Sequence, residues 1–322
     1  MLIRDILIFL LCAVFFGCEK EITITLDNTM DWIAFYRSGE NDYETDEIWI
    51  INVTTNEEIQ ITNSSRYYEN SPVWLTDSKL LYFIEPQLES YTERNIVLLD
   101  FATGKRTLLD FWTWRDCPGI DRISVDARRN IYYSPVGNDE IYILSLAESK
   151  PKPQLMFSSN FVKQHGLSYL HSPTISSDGV ELLFVGCDTT KYRIMHVEQK
   201  KHYFDIYYYN RQDYTLKRLT SGDYANGYPS WIGTDSIIYS SKRDENWDLY
   251  LMNRQGVILR QLTNTKDIDE WQGATISPDH KTICYAGYDH NKEELNMWLM
   301  ALEKRATTFL TKGGEPAWSP KK

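Results

Sequence analysis

Four of the six histidines, His165, His171, His196 and His202, fall within one stretch of the chain. The same stretch carries Lys191, Arg193, Lys200 and Lys201, a basic island in a chain whose 34 Lys+Arg stand against 45 Asp+Glu, for a net charge of −11. Imidazoles gathered at one rim are of the type that ligates a divalent metal. Cationic side chains in an acidic protein suit an anionic partner, such as a uronic-acid glycan or an acidic peptide. A second set is aromatic: Tyr67, Tyr68, Trp112, Trp114, Tyr169, Tyr192, Tyr228 and Trp271 lie in polar surroundings. There a ring offers a flat apolar floor for a sugar or a peptide at little entropic cost.

Other chemistry finds no support. The chain contains no G-x-S-x-G and no H-E-x-x-H, the signatures of a serine nucleophile on a strained turn and of a helical zinc site. Of the five cysteines, Cys12 and Cys18 lie at the N-terminus and Cys117, Cys187 and Cys284 show no C-x-x-C spacing, so neither a disulfide framework nor a zinc site is expected. Cys187 and Cys284 sit in the apolar runs ELLFVGC and KTICYAG and read as small buried hydrophobes. An acidic surface disfavours nucleic acid, whose phosphates require neutralising cations. The expectation is a binding protein without catalytic residues, cofactor or resident metal.

The elements that must position these residues repeat along the chain. Short apolar strands stop at a Thr or a polar stand-in at Thr62, Asp110, Ser158, Thr220, Thr263 and Thr311, successive ends lying between 43 and 62 residues apart. Upstream of each end lies an acidic or amide residue followed by an apolar-aromatic step: Asp46-Glu-Ile-Trp49, Asn95-Ile-Val-Leu98, Asp139-Glu-Ile-Tyr142, Asp205-Ile-Tyr207, Asp248-Leu-Tyr250 and Asn296-Met-Trp298. A Pro-x-aromatic step or its relic opens the units at Pro72-Val-Trp74, Pro173-Thr-Ile175, Pro229-Ser-Trp231 and Ala274-Thr-Ile276. Turns such as Ser177-Asp-Gly179 and Ser277-Pro-Asp279 follow. Four short strands with turn residues between them make one blade of a propeller, and a period of this length, met six times, is a repeat architecture. The fold class expected is therefore all-β, a six-bladed β-propeller of four-stranded antiparallel blades.

The first unit begins with what is the second strand elsewhere, Asp31-Trp-Ile-Ala-Phe-Tyr36, while Glu315-Pro-Ala-Trp-Ser-Pro320 is an opening strand with nothing after it. The C-terminal strand 315–320 is expected to close the first blade, removing an exposed edge. Trp74, Trp231 and Trp318 belong to the repeat and are expected between blades.

Ahead of the propeller, Ile6 to Gly17 is an uncharged apolar run of signal-peptide length, too short to span a bilayer comfortably. It ends at Gly17-Cys18, and Phe15-Phe16-Gly17-Cys18 resembles a bacterial lipobox. The implied organisation is a lipoprotein signal peptide at 1–17, a lipidated linker at 18–30 beginning with Cys18, and the propeller at 31–320. Glu-Lys-Glu at 19–21 resembles the charged tract of surface-exported lipoproteins.

The best repeat copy, PSWIGTDSIIYSSKRDENWDLYLMNRQGVILRQLT at 229–263, resembles the repeat of the TolB C-terminal propeller, a WD-repeat-like module. The resemblance covers about 290 residues and leaves out the α/β domain that precedes the TolB propeller. It implies a ligand held on the face shared by the interblade loops and the loops between second and third strands. On that face the candidate ligand-binding residues are Trp112, Trp114, His165, Tyr169, His171, Tyr192, Arg193, His196, Lys200, Lys201, His202, Tyr228 and Trp271. Two long insertions, Asn160 to His171 and Lys191 to His202, are expected to form one wall there. The partner implied is an envelope protein, peptide or glycan, with the chain held on the bacterial outer membrane by its lipid, facing periplasm or cell surface. Two alternatives stand beside this: a metal-assisted polysaccharide lyase like the oligogalacturonate lyases, propeller enzymes with His-bound metal on the same face, and a structural scaffold within an envelope complex.

Overall fold

The computed structural model describes residues 26–27, 31–39, 45–86, 95–109, 120–135, 139–148, 151–189 and 204–320. Its strands form six antiparallel sheets arranged as the blades of a ring. Blade 1 contains β1 (Trp32–Ser38), β2 (Asp46–Asn52) and β3 (Glu58–Gln60). Blade 2 contains β4 (Tyr67–Thr76), β5 (Lys79–Pro86), β6 (Asn95–Asp100) and β7 (Lys105–Leu109). Blade 3 is β8 (Ile120–Val125), β9 (Asn130–Pro135), β10 (Ile141–Ser145) and β11 (Gln154–Phe157). A helix, α1 (Ser159–Gln164), leads into blade 4: β12 (Leu167–Ile175), β13 (Glu181–Asp188), β14 (Phe204–Asn210) and β15 (Leu216–Arg218). Blade 5 is β16 (Asn226–Ile232), β17 (Ser236–Ser241), β18 (Asp248–Asn253) and β19 (Ile258–Gln261). Blade 6 has its inner strand in two pieces, β20 (Ile268–Asp269) and β21 (Ala274–Ile276), followed by β22 (Thr282–Asp289), β23 (Glu294–Ala301) and β24 (Ala306–Lys312). The last strand, β25 (Gly314–Trp318), returns to blade 1.

That return closes the ring as the repeat pattern requires. β25 pairs with β1 through Ile33↔Trp318 and Ala34↔Ala317. Beyond the strand, Ser319 N–H donates to Trp32 O at 2.8 Å and Trp32 N–H donates to Ser319 Oγ at 3.2 Å. The seam to blade 2 is stitched by Trp74 Nε1, which donates to Ala317 O at 3.0 Å. Trp74 and Trp318 are buried and Trp231 is half-buried against Tyr208, each between neighbouring blades. Cys187 and Cys284 are buried; burial pushes the Cys284 thiol far above its ordinary range.

The two recurring series meet in space. Thr62 Oγ donates to Glu47 at 2.6 Å while accepting Ile48 N–H at 2.8 Å. Thr220 does the same between Asp205 (2.9 Å) and Ile206 N–H (2.9 Å), and Thr263 between Asp248 (3.2 Å) and Leu249 N–H (2.8 Å). The strand-ending Thr thus locks the fourth strand of a blade to the start of its third, satisfying buried polar groups that would otherwise be costly. In blade 1 it is Glu47, one residue after Asp46, that plays the acid. Ser158, at the equivalent end in blade 3, instead caps α1 by accepting Phe161 N–H at 3.2 Å, an ordinary N-cap bond.

Blades 2 to 6 each tie their two hairpin turns together, and blade 1 ties its one turn to the incoming chain at Asp31. Phe101 N–H donates to Ser78 O, Leu146 to Arg129, Arg211 to Val180, Arg254 to Asp235, Leu302 to Lys281 and Val53 to Asp31. These turns define one face of the disc, the turn face. The interblade loops and the loops between second and third strands define the other, the loop face. The Asn160–His171 insertion is more ordered than a loop: it is α1 followed by an inner strand already under way at Leu167, so Tyr169 and His171 are strand residues.

Candidate functional site

Each inner strand carries a bulge just before its motif. Register shifts fall at Asn70/Val73, Ile120/Ile123, His171/Thr174 and Gly227/Ser230. The residue standing three before the motif's last position is Ser71, Arg122, Ser172, Tyr228, Gly273 or Glu315 in successive blades. Four of these six are non-glycine residues held left-handed, with φ of 52° at Ser71, 48° at Ser172, 50° at Tyr228 and 49° at Glu315, and Gly273 has φ 74°. A bulge re-aims a side chain that the regular pleat would send elsewhere. Strain of this kind persists only where its surroundings hold it.

The re-aimed side chains meet across the axis. Arg122 of blade 3 reaches the opposite blade, its Nη2 donating to Gln272 O at 3.0 Å, with its guanidinium 5.2 Å from the centre of the Tyr228 ring. Gly273 permits this, since a Cβ there would come within 2.9 Å of Tyr228 and 3.6 Å of Arg122 Nη1. Ser71 Oγ donates to Glu315 at 2.6 Å, and Gln272 accepts Glu315 N–H at 3.0 Å while donating to Tyr36 Oη at 3.0 Å. Burial, followed by the Glu315 charge, lifts the Tyr36 phenol far above its usual range, so it stays a neutral hydroxyl. Trp271 packs edge-on against Tyr228 at 5.9 Å. Below this polar plug the axis holds a cavity of about 480 Å³, lined by the motif residues Trp74, Trp231 and Trp318 and reaching Pro278 and His280.

A second aromatic group stands on blade 4. Tyr169, His171 and Phe204 pack together with ring centres 5.1 to 5.8 Å apart. Tyr169 is held left-handed and its N–H donates to Asp139. His165 does not join this group. It ends α1, lies exposed, and turns its ring onto Phe161 at 4.2 Å with Nδ1 2.8 Å from Phe161 O. Of the residues expected from sequence, the structure therefore pairs Tyr228 with Trp271 and Tyr169 with His171. Trp112, Trp114, Tyr192, Arg193, His196, Lys200, Lys201 and His202 lie outside the described residues, as does Cys18. Among the described residues no three His, Cys, Asp or Glu side chains converge as a metal site.

Sequence reasoning missed Arg122, Gln272 and Glu315, although counting three back from each motif end would have found the ring positions. It also missed two buried carboxyl groups at the seams. Glu69 follows the Glu47–Thr62 lock; burial, then the Glu47 charge against the relief of a Thr62 hydrogen bond, pushes it up to about 9. Glu270 follows the Asp248–Thr263 lock; burial and the Asp248 charge, against a Thr265 hydrogen bond, push it up to about 8. At the seam between blades 4 and 5 the same place is taken by Asn226, whose Nδ2 donates to Asp205 at 3.2 Å.

Neither a family model nor a curated protein sequence matches the chain. Solved structures do. TolB from Acinetobacter baumannii superposes with a TM-score of 0.69 at 19% identity, over 92% of this chain and 68% of that one. A chain of the nidogen/laminin complex follows at 0.61 and 11% identity, covering 91% and 99% of the two. The oligogalacturonate lyase of Vibrio parahaemolyticus reaches 0.52 at 11% identity, covering 87% and 73%. At such identities the likeness defines architecture. The fold is a six-bladed β-propeller of the TolB type.

Proposed function

We propose that this chain is a non-enzymatic binding module of the bacterial envelope, taking a protein, peptide or glycan partner on its loop face around the axis. One observation carries the reading: four non-glycine residues are held at positive φ around a ring whose side chains, with Arg122, converge on the axis from different blades. Strain sustained in a convergent ring is a mark of a site. The rings of Trp271, Tyr228 and Tyr169 supply rigid apolar contact beside an exposed mixture of charges, the composition that recognises polar macromolecular surfaces. A propeller that meets a protein is present among the structural neighbours, in the nidogen/laminin complex.

In the same reading Cys18 carries lipid and holds the chain at the outer membrane, on the periplasmic or the surface side, and the blade 4 insertions flank the site. The support is the apolar run Ile6–Gly17 ending at Gly17-Cys18. The test is capture from an envelope extract and from a glycan panel by immobilised protein, with two folded variants in parallel. Trp271→Ala is expected to lose most of the captured partner and Arg122→Ala to lose part of it. Full retention by both places the site elsewhere. Loss confined to Lys200→Glu with Lys201→Glu, mimicked by salt, moves it to the blade 4 insertion.

A further inference from the structure

The large apolar side chains exposed among the described residues are Leu155, Tyr214, Val257, Ile258, Leu259 and Phe309. All six lie on outer strands or the turns leading into them, on blades 3 to 6. Three are consecutive. Val257, Ile258 and Leu259 are 57%, 46% and 54% exposed where the turn after β18 leads into β19, and Tyr214, on the corresponding turn of blade 4, is 76% exposed. These turns belong to the turn face, because Arg254 and Arg211 beside them are bonded to Asp235 and Val180 of the adjoining hairpins.

The N-terminal segment leads into the propeller at the same face. In the other blades the carbonyl that accepts the third-to-fourth-strand turn belongs to a hairpin; in blade 1 it belongs to Asp31, where the chain comes in, with Val53 N–H donating at 2.9 Å. Leu26 packs against the blade 1 and 2 core and Asp27 O accepts Trp32 Nε1 at 3.3 Å. Only residues 19–25 separate Cys18 from Leu26. A stretch of that length reaches at most about 28 Å even fully extended.

From this placement we infer that the turn face lies against the phospholipid surface, with the Val257–Leu259 strip and Tyr214 as a second contact. The inference rests on the proposed lipid at Cys18 for its tether and deepens that reading by giving the disc an orientation. Three aliphatic side chains and a tyrosine are too few to hold a protein on a bilayer alone. Beside a tether, the local lipid concentration makes such a patch effective. Tyrosine with aliphatic neighbours suits the headgroup boundary. Lys281, Lys304 and Arg305 stand exposed on blade 6 turns of this face, but Asp235, Asp279 and Glu303 lie among them. The attraction is therefore apolar and insensitive to salt. Blades 4 and 5 lie across the ring from the blade 1 and 2 seam, so two contacts hold the disc flat and leave the loop face outward.

The experiment places a fluorophore at Val257→Cys or, on the loop face of the adjoining interblade loop, at Lys266→Cys. The background is Cys117→Ser, with Cys187 and Cys284 buried. Quenching by nitroxide-bearing lipid in phosphatidylethanolamine/phosphatidylglycerol vesicles is read in two arms. One uses the native full-length chain; the other has residues 1–18 replaced by a hexahistidine held on nickel-chelating lipid. Quenching several-fold stronger at 257 than at 266 in the tethered arm is the expected result, lost when Ile258→Ser and Leu259→Ser are added. Equal quenching, stronger quenching at 266, or no effect of the serine pair overturns the inference. A native chain that stays off the vesicles while the tethered arm shows the difference removes the lipid at Cys18 and leaves the membrane-facing strip standing.

Discussion

Glu69 and Glu270 make the stability of the ring depend on two protons. Glu47 accepts Thr45 Oγ at 2.7 Å, Thr62 Oγ at 2.6 Å and Ser64 N–H at 2.8 Å. Asp248 accepts Thr263 Oγ, Thr265 N–H and Gln261 Nε2 at 3.2 to 3.3 Å. Glu270 has Thr265 Oγ at 2.9 Å as donor to one oxygen, and its other oxygen is buried without a partner; Tyr285 also faces it. Glu69 is faced by Thr62, Glu47 and the Arg106 guanidinium, which acts the other way. Both folded pKa values, about 8 and about 9, lie above the ordinary 4.5. The folded state therefore keeps protons that the unfolded chain releases. Each group's contribution is complete below about 4.5, declines as pH rises, and is spent above about 8 for Glu270. The slope is about 1.4 kcal/mol per pH unit for each group, so Glu270 alone is worth on the order of 5 kcal/mol across that window. Glu69→Gln with Glu270→Gln carries the N–H permanently, as Asn226 does. Thermal midpoints measured from pH 5 to pH 9 should fall more steeply for the parent, by on the order of 5 °C or more over the range. The variant should be the more stable protein at pH 9. Parallel curves, or a variant less stable at pH 9, would refute the protonated-seam argument.

Trp318→Ala removes a buried ring that joins blade 1 to blade 6 and should cost about 3 to 5 kcal/mol, read as a lowered denaturation midpoint; an unchanged midpoint sinks the closure argument. Cys18→Ala should move the protein from the membrane to the soluble fraction on fractionation, and retention with unchanged mobility would show that Cys18 carries no lipid.

The architecture was legible because a propeller writes its packing into every repeat. In blades 1, 4 and 5 the Thr end and the acid-aromatic step are hydrogen-bonded to each other, so the two series recur together. The missing strand of blade 1 and the spare strand after Gly314 could only answer each other. Blade 3 hid its inner strand because Arg122-Ile-Ser-Val125 lacks the Pro and the aromatic, and Arg122 was lost with it. Tyr169, His171 and Tyr228 read as loop residues in sequence because Pro173 and Pro229 look like strand starts, whereas a bulge lets the strand begin several residues earlier. Glu69 and Glu270 look like surface acids in sequence. Their burial is set by the preceding blade's lock, a relation that appears only when two repeats are laid side by side in space.

The contrast between the two ring positions explains where such a protein is free to vary. At the motif's last position the residues are Trp74, Val125, Ile175, Trp231, Ile276 and Trp318, all apolar, because each fills a seam between blades whose volume the ring geometry fixes. Three residues earlier they are Ser71, Arg122, Ser172, Tyr228, Gly273 and Glu315, with no type preferred. Arg122 lies on the Tyr228 ring and Ser71 donates to Glu315, so these side chains answer to one another and not to a seam of fixed volume. Their arrangement is nevertheless paired. Arginine stands opposite glycine, which leaves it room to reach Gln272, and glutamate stands beside serine, which donates to it. Gly273→Ala should therefore displace Tyr228, whose Cβ and carbonyl oxygen the new methyl group would meet at 2.9 Å, and with it the ring on which the Arg122 guanidinium rests. A change of one methyl group at the axis would alter the loop-face mouth.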